Sequence, residues 1–140
     1  MGKINLKGVI IGGLVAGVVL NVVDFLLFGV YLKDDMAAAL QALGKPPMAD
    51  SMIAWFVGLD FLYGIFLVWL YAAIRPRFGP GPGTAVKAGL ISWVVAGLFH
   101  VLFEAPMGLV PMNLMITATL VALVQQPLAT LAGAKMYTEM

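Results

Sequence analysis

The chain has 140 residues, enough for one domain, and 62% of them are hydrophobic while only 11% are charged. Ordinary soluble domains carry about 25% charged residues, so a water-exposed globule has too few polar groups here to cover its surface. A net charge of +1 excludes a basic footprint for nucleic acid, and the absence of cysteine excludes disulfides, thiolate metal sites and a cysteine nucleophile.

Four apolar stretches are long enough to cross a bilayer, which takes about 20 residues at a rise of ~1.5 Å each. They run over residues 8–32, 52–74, 85–105 and 111–134. The first follows Lys3 and Lys7, as a secretory signal would. It is longer than the usual ~7–15 residue apolar core, and no small-residue cleavage site follows it, so it reads as a span. Helices are the expected form, because an unpaired backbone cannot sit in lipid and the ~10-residue alternation of barrel strands is missing.

Between the first two spans, residues 34–43 predict a short surface helix, with Asp34 as its N-cap and Gly44 as its stop. Asp50 or Ser51 is expected to cap the second span. The next connection, residues 75–83, is rich in proline and glycine and predicts no regular helix. Pro106 should end the third span and Pro111 open the fourth, which makes the last two an antiparallel hairpin. The expected fold is therefore an all-α, four-helix transmembrane bundle of two hairpins in a single domain, residues 1–140.

Basic residues set the expected orientation. Lys3, Lys7, Arg75, Arg77, Lys87 and Lys135, six of the eight, fall on the side that holds both termini. Positive charge favours the cytoplasmic side, so both termini are expected there. An internal repeat is also suggested. Residues 7–24 align with 87–104 at an offset of 80, matching Val15-Ala16-Gly17 to Val95-Ala96-Gly97 and Asp24 to Glu104.

The polar residues inside the spans are the functional signal, since an ionisable group in lipid costs at least ~2.5–3.5 kcal/mol near a span's centre and usually faces the bundle interior. Asp24 lies roughly 10 Å below the far end of span one, Asp60 about 12 Å down span two, and His100 about 9 Å from the end of span three. Gly13, Gly17, Asn21 and Asp24 are spaced four, four and three apart, which is one stripe of a helix. Gly89, Trp93, Gly97, His100 and Glu104 make the matching stripe on span three, and Asp60, Tyr63, Gly64 and Leu67 share a face of span two. These spacings predict a buried cluster of Asp24, Asp60, His100 and Glu104, with Asn21 and Asn113 as hydrogen-bond partners. Such a cluster can bind a cation, exchange protons or tie helices together. His100 and Glu104, one turn apart, are a weak metal pair, because transition metals usually draw more nitrogen or sulfur ligands. No cofactor motif appears, and no metal is assigned. Gln125-Gln126-Pro127 reads as a kink in span four, where polar side chains re-satisfy freed carbonyls.

The opening Lys3-Ile4-Asn5-Leu6, then Gly12-Gly13-Leu14-Val15-Ala16-Gly17 and Asn21, with Leu43-Gly44-Lys45-Pro46-Pro47 further on, resembles a group of small uncharacterised bacterial four-helix membrane proteins. In that group an acid follows the asparagine by three residues, a slot that Asp24 fills. The resemblance implies this topology and a bacterial plasma (inner) membrane, and carries no activity. Two functions are expected from the residues: proton-coupled transport of a small solute or cation, which four helices need a homo-oligomer to enclose, or a non-catalytic accessory or assembly subunit of a larger membrane complex. An enzyme using His100 and Glu104 on lipids or quinones comes third. The lipid bilayer is the common partner of the first two.

Overall fold

The computed structural model describes residues 2–139, and they form helices and connecting turns with no strand among them. Five helices follow in order: α1 Leu6–Tyr31, α2 Lys33–Ala42, α3 Asp50–Phe78, α4 Pro82–Met107 and α5 Met112–Ala134. All but α2 are long and apolar enough to cross a membrane. Large apolar side chains such as Val18, Leu62, Val95 and Leu120 stay exposed all round the bundle, which in water would be ruinous and in lipid is the expected outer surface.

Several helix ends depart from the expected ones. Asn5 caps α1, its side chain accepting from the Gly8 amide. Helix α2 starts one residue before Asp34, so Asp34 and Asp35 lie in its first turn, where they favour the positive end of the helix dipole without capping it. Gly44 does stop α2, at a φ of +69° that a side chain would resist. Neither Asp50 nor Ser51 caps α3: Ala49 holds the cap position with no side-chain bond, and Asp50 is already helical. The helix then continues through Arg75, Pro76 and Arg77 to Phe78, past the expected stop. Pro76 removes one amide donor in the last turns, a loss that a helix end tolerates far better than its middle. Gly79 and Gly81, at φ +82° and +117°, make the actual turn.

Two stretches are π-helical: Phe25–Tyr31 at the end of α1 and Trp93–Phe99 in the middle of α4. An offset of 80 residues does not carry one onto the other, so the suggested sequence repeat has no counterpart in these turns.

Helices α1 and α3 make the most extensive contact, followed by α4 with α5 and α1 with α5. Glycines set these contacts. A Cβ on Gly64 of α3 would collide with the backbone of Gly13 and Gly17 of α1, one on Gly12 would meet the Gly133 carbonyl of α5, and one on Gly89 would meet Pro127. Close backbone approach through small residues is how helices gain dispersion contact when lipid is as apolar as the side chains. Val9, Ala16, Leu20, Leu67, Val68, Tyr71, Ala88 and Ala129 fill the half nearer the termini, while Leu27, Leu32 and Leu114 form a smaller cluster at the other end, under α2.

Both termini meet at one end of the bundle. The Asn5 amide donates to the Tyr137 hydroxyl at 3.1 Å, and Asn5 Nδ2 donates to the Thr138 carbonyl at 2.9 Å. Arg75 lies between the Tyr71 and Tyr137 rings, 5.6 and 5.3 Å from their centroids, with Glu139 3.7 Å away.

Candidate functional site: an acid pair held by a glutamine

The Gly13–Gly17–Gly64 contact brings the α1 and α3 backbones together, and the next turns of both helices carry polar groups into the same seam. Asn21 Nδ2 donates to the Gly17 carbonyl, one turn back, at 2.9 Å and reaches the Val57 carbonyl of α3 at 3.5 Å. Asp24 lies one turn on from Asn21 in α1 and Asp60 one turn on from Val57 in the antiparallel α3, which leaves the two carboxyl groups as neighbours. Both are partly buried. Gln125 of α5 completes the group: its Nε2 donates to Asp24 Oδ1 at 2.7 Å and to the Leu20 carbonyl at 3.1 Å. Three helices thus converge on one pair of carboxyl groups. Neighbouring carboxylates repel each other.

A second polar group lies beside it. The Tyr63 hydroxyl is hydrogen-bonded to the Ser92 hydroxyl of α4 and donates to Gln126 Oε1 at 3.1 Å. Thr130 donates to the Gln126 carbonyl at 2.7 Å, and Trp93 Nε1 to the Thr119 carbonyl at 2.8 Å. Gln125 and Gln126 are both buried. Adjacent residues of a helix point about 100° apart, so one glutamine serves α1 and the other serves α3 through Tyr63, which in turn reaches Ser92 of α4. Their side chains bond other helices instead of restoring carbonyls freed by Pro127. The adjacent pair in mid-span was the signal for this, and Tyr63 shares the Asp60 stripe; Ser92 carries no signal in its sequence context.

The expected four-residue cluster does not form. Asp24 and Asp60 are neighbours, with Asn21 one turn from Asp24, but His100 and Glu104 lie elsewhere. His100 Nε2 is 3.3 Å from Glu104 Oε2, and their side chains are 61% and 44% exposed on the outside of α4. Asn113 is exposed too and takes no part. Among the described residues no three His, Cys, Asp or Glu side chains are placed to hold a metal ion. Two physical reasons account for this. Helices α1 and α4 stand at opposite corners, each packing on α3 and α5 and not on each other. The π-helical turns at Trp93–Phe99 also widen the helix just before His100. Each widened turn accommodates an extra residue, which swings the rest of the helix by about 100° from the face that a regular helix would give it.

No protein-family model, curated protein or solved structure matches the chain.

Two grooves flank α1 on its outer surface. One, of about 310 Å³, lies against α5 and is lined by Val23, Leu120, Val121, Val124, Gln125 and Leu128. The other, of about 400 Å³, lies against α3, with Asn21 among apolar side chains that include Val22, Phe25, Val57 and Phe61. Each touches the acid pair's surroundings through a single amide.

Proposed function

We propose that this multi-pass membrane protein exchanges a proton or a small cation at the Asp24–Asp60 pair and couples that exchange to the movement of a small solute across the bilayer. The bond from Gln125 of α5 to Asp24 of α1, with Asp60 of α3 as its neighbour, is the observation that carries the reading. Buried acids of this kind are costly in lipid and mark ion and proton pathways. Four helices rarely enclose a path alone, so the path runs between copies of the chain in a homo-oligomer. The end that holds the termini faces the cytoplasm of a bacterial plasma membrane. Arg75 lies at that end beside Glu139, as does Lys87, whose Nζ is 4.6 Å from the Phe78 ring centroid, in keeping with the positive-inside rule.

Proteoliposomes carrying a pH-sensitive dye and an imposed pH gradient test this. The wild-type protein is expected to collapse the gradient, with Asp24→Asn and Asp60→Asn falling to the rate of empty vesicles while staying folded. Wild-type vesicles no leakier than empty ones overturn the reading.

The exposed His100–Glu104 pair favours a second reading, an accessory subunit of a larger membrane complex. A histidine–carboxyl pair on the outer side of a span needs a polar cover, and a partner's helix would supply it. In that case the double variant His100→Leu, Glu104→Leu would dissolve a large assembly on a native gel of mildly solubilised membranes. An unchanged assembly, or a wild type that migrates as single chains, removes this alternative.

A further inference from the structure

The end of the bundle that joins the termini holds an arginine whose donors go unused. Arg75 lies in the last turn of α3, and its side chain is 16% exposed. Its Nε and Nη1 are buried and have no hydrogen-bond partner among the described residues. The Tyr71 and Tyr137 rings flank the guanidinium and attract its charge. Their hydroxyls accept elsewhere, from the Gly81 and Asn5 amides. Glu139 Oε2 stands 3.7 Å from Nη1, close enough for attraction but beyond hydrogen-bond length. A buried charged donor left unbonded is costly, so this guanidinium calls for an anion that comes closer and brings more oxygens.

The surroundings select the anion. Arg75 directly follows the apolar run 52–74, where a span passes from hydrocarbon to headgroups. Lys3, Lys7, Arg77, Lys87 and Lys135 are exposed at the same end, and Glu139 is the one acidic side chain there. The anion that a membrane supplies at that depth is phospholipid phosphate. We propose that Arg75 binds the phosphate of an anionic phospholipid, which enters by displacing Glu139. A phosphodiester spreads its charge over two free oxygens and pairs with the planar guanidinium along an edge. Glu139 lies outside any helix, on the exposed segment after α5, so its withdrawal leaves the packed core intact. The exposed basic residues draw the headgroup in, and Arg75 supplies the buried donors. This site does not depend on the transport reading of Asp24 and Asp60.

Native mass spectrometry of the full chain in detergent tests this, with titrations of phosphatidylglycerol, phosphatidylcholine and soluble glycerol phosphate. The wild type is expected to hold one phosphatidylglycerol about tenfold more tightly than phosphatidylcholine, whose choline neutralises the phosphate. Arg75→Gln should weaken phosphatidylglycerol about tenfold, the factor that one charge-assisted hydrogen bond supplies. Arg77→Gln removes the same charge from an exposed neighbour and should weaken it about twofold. Glu139→Gln should tighten it severalfold, because the competing carboxylate is gone. Equal losses in Arg75→Gln and Arg77→Gln mean diffuse attraction by the whole basic end, and overturn the proposal. So does a Glu139→Gln protein that binds no more tightly than wild type. Glycerol phosphate held as tightly as the lipid means that the site takes a free phosphate, and overturns the lipid assignment. Arg75→Lys serves if Arg75→Gln does not fold. It keeps the charge without the planar fork and should lose most of the preference; wild-type binding by that variant removes the guanidinium from the site.

Discussion

Gln125 of the last helix donates to Asp24 of the first at 2.7 Å, and the same amide nitrogen bonds the Leu20 carbonyl one turn earlier. One side chain therefore fixes both the rotamer of an acid and the contact of two helices. Gln125→Leu keeps the volume and removes both bonds. Hydrogen bonds between membrane helices average about 0.6 kcal/mol and reach about 1.7, so a stability loss of roughly 1 kcal/mol is expected from unfolding titrations in mixed micelles. Proton exchange should fall far more than that modest loss explains, because Asp24 is no longer held against Asp60. A variant that exchanges protons at the wild-type rate removes Gln125 from the site.

Gly58 and Gly64 lie six residues apart on α3 and predict opposite outcomes. A Cβ at Gly64 meets the backbone of Gly13 and Gly17, whereas at Gly58 it meets nothing within 4 Å. Gly64→Ala must push α1 from α3 and is expected to cost about 1–3 kcal/mol, the usual range for overpacking. Gly58→Ala should be neutral, or stabilising by up to about 1 kcal/mol through helix propensity. The same titrations read both. Equal effects at the two positions would mean that the α1–α3 contact is looser than described.

The four spanning helices are legible in the sequence because uninterrupted apolar runs of this length have few other uses. The site is legible only in half, and the boundary is physical. Asn21 and Asp24 follow Gly13 and Gly17 along a regular helix, since the π-helical turns of α1 begin at Phe25, after the last of them. Their predicted stripe holds, with Asp60 as a neighbour of Asp24, but the buried acid–histidine cluster drawn from it does not form. His100 and Glu104 come after the π-helical turns of α4, so spacings counted at 3.6 residues per turn assign them the wrong face. Nothing in Trp93–Phe99 announces that widening. The continuation of α3 through Pro76 is hidden for a different reason: proline forbids a helix interior much more strongly than a helix end.

Glu104 and Asp60 accordingly part company as targets. On a shared cluster, Glu104→Gln abolishes exchange as Asp60→Asn does. With Glu104 paired only to His100 on the outside of α4, proton flux in Glu104→Gln vesicles is expected to stay near wild type. The fold should lose little, since an i,i+4 pair on a helix surface contributes about 0.2–0.5 kcal/mol. A Glu104→Gln protein as inactive as Asp60→Asn would show that the two acids cooperate in the working state.

The end that joins the termini makes the last prediction. Tyr137 is 5% exposed, its hydroxyl accepts from the Asn5 amide at 3.1 Å, and its ring sits 5.3 Å from the Arg75 guanidinium and edge-on to Tyr71. Asn5 in turn caps α1 through Gly8, so the first helix and the C-terminal segment share one fastening. Tyr137→Phe removes the hydroxyl alone and should cost about 1 kcal/mol, one hydrogen bond. Tyr137→Ala removes the ring as well, with its burial and the cation–π contact to Arg75, and should cost about 3 kcal/mol or more. Hydrogen exchange at Asn5 and along the first turn of α1 gives the local reading. Protection there is expected to drop slightly in the Phe variant and steeply in the Ala variant, while amides near Leu67 and Val68, in the middle of the core, stay protected. If both variants lose protection equally, the hydroxyl bond alone fastens the end; if neither does, Asn5 holds α1 without help from the C-terminal segment.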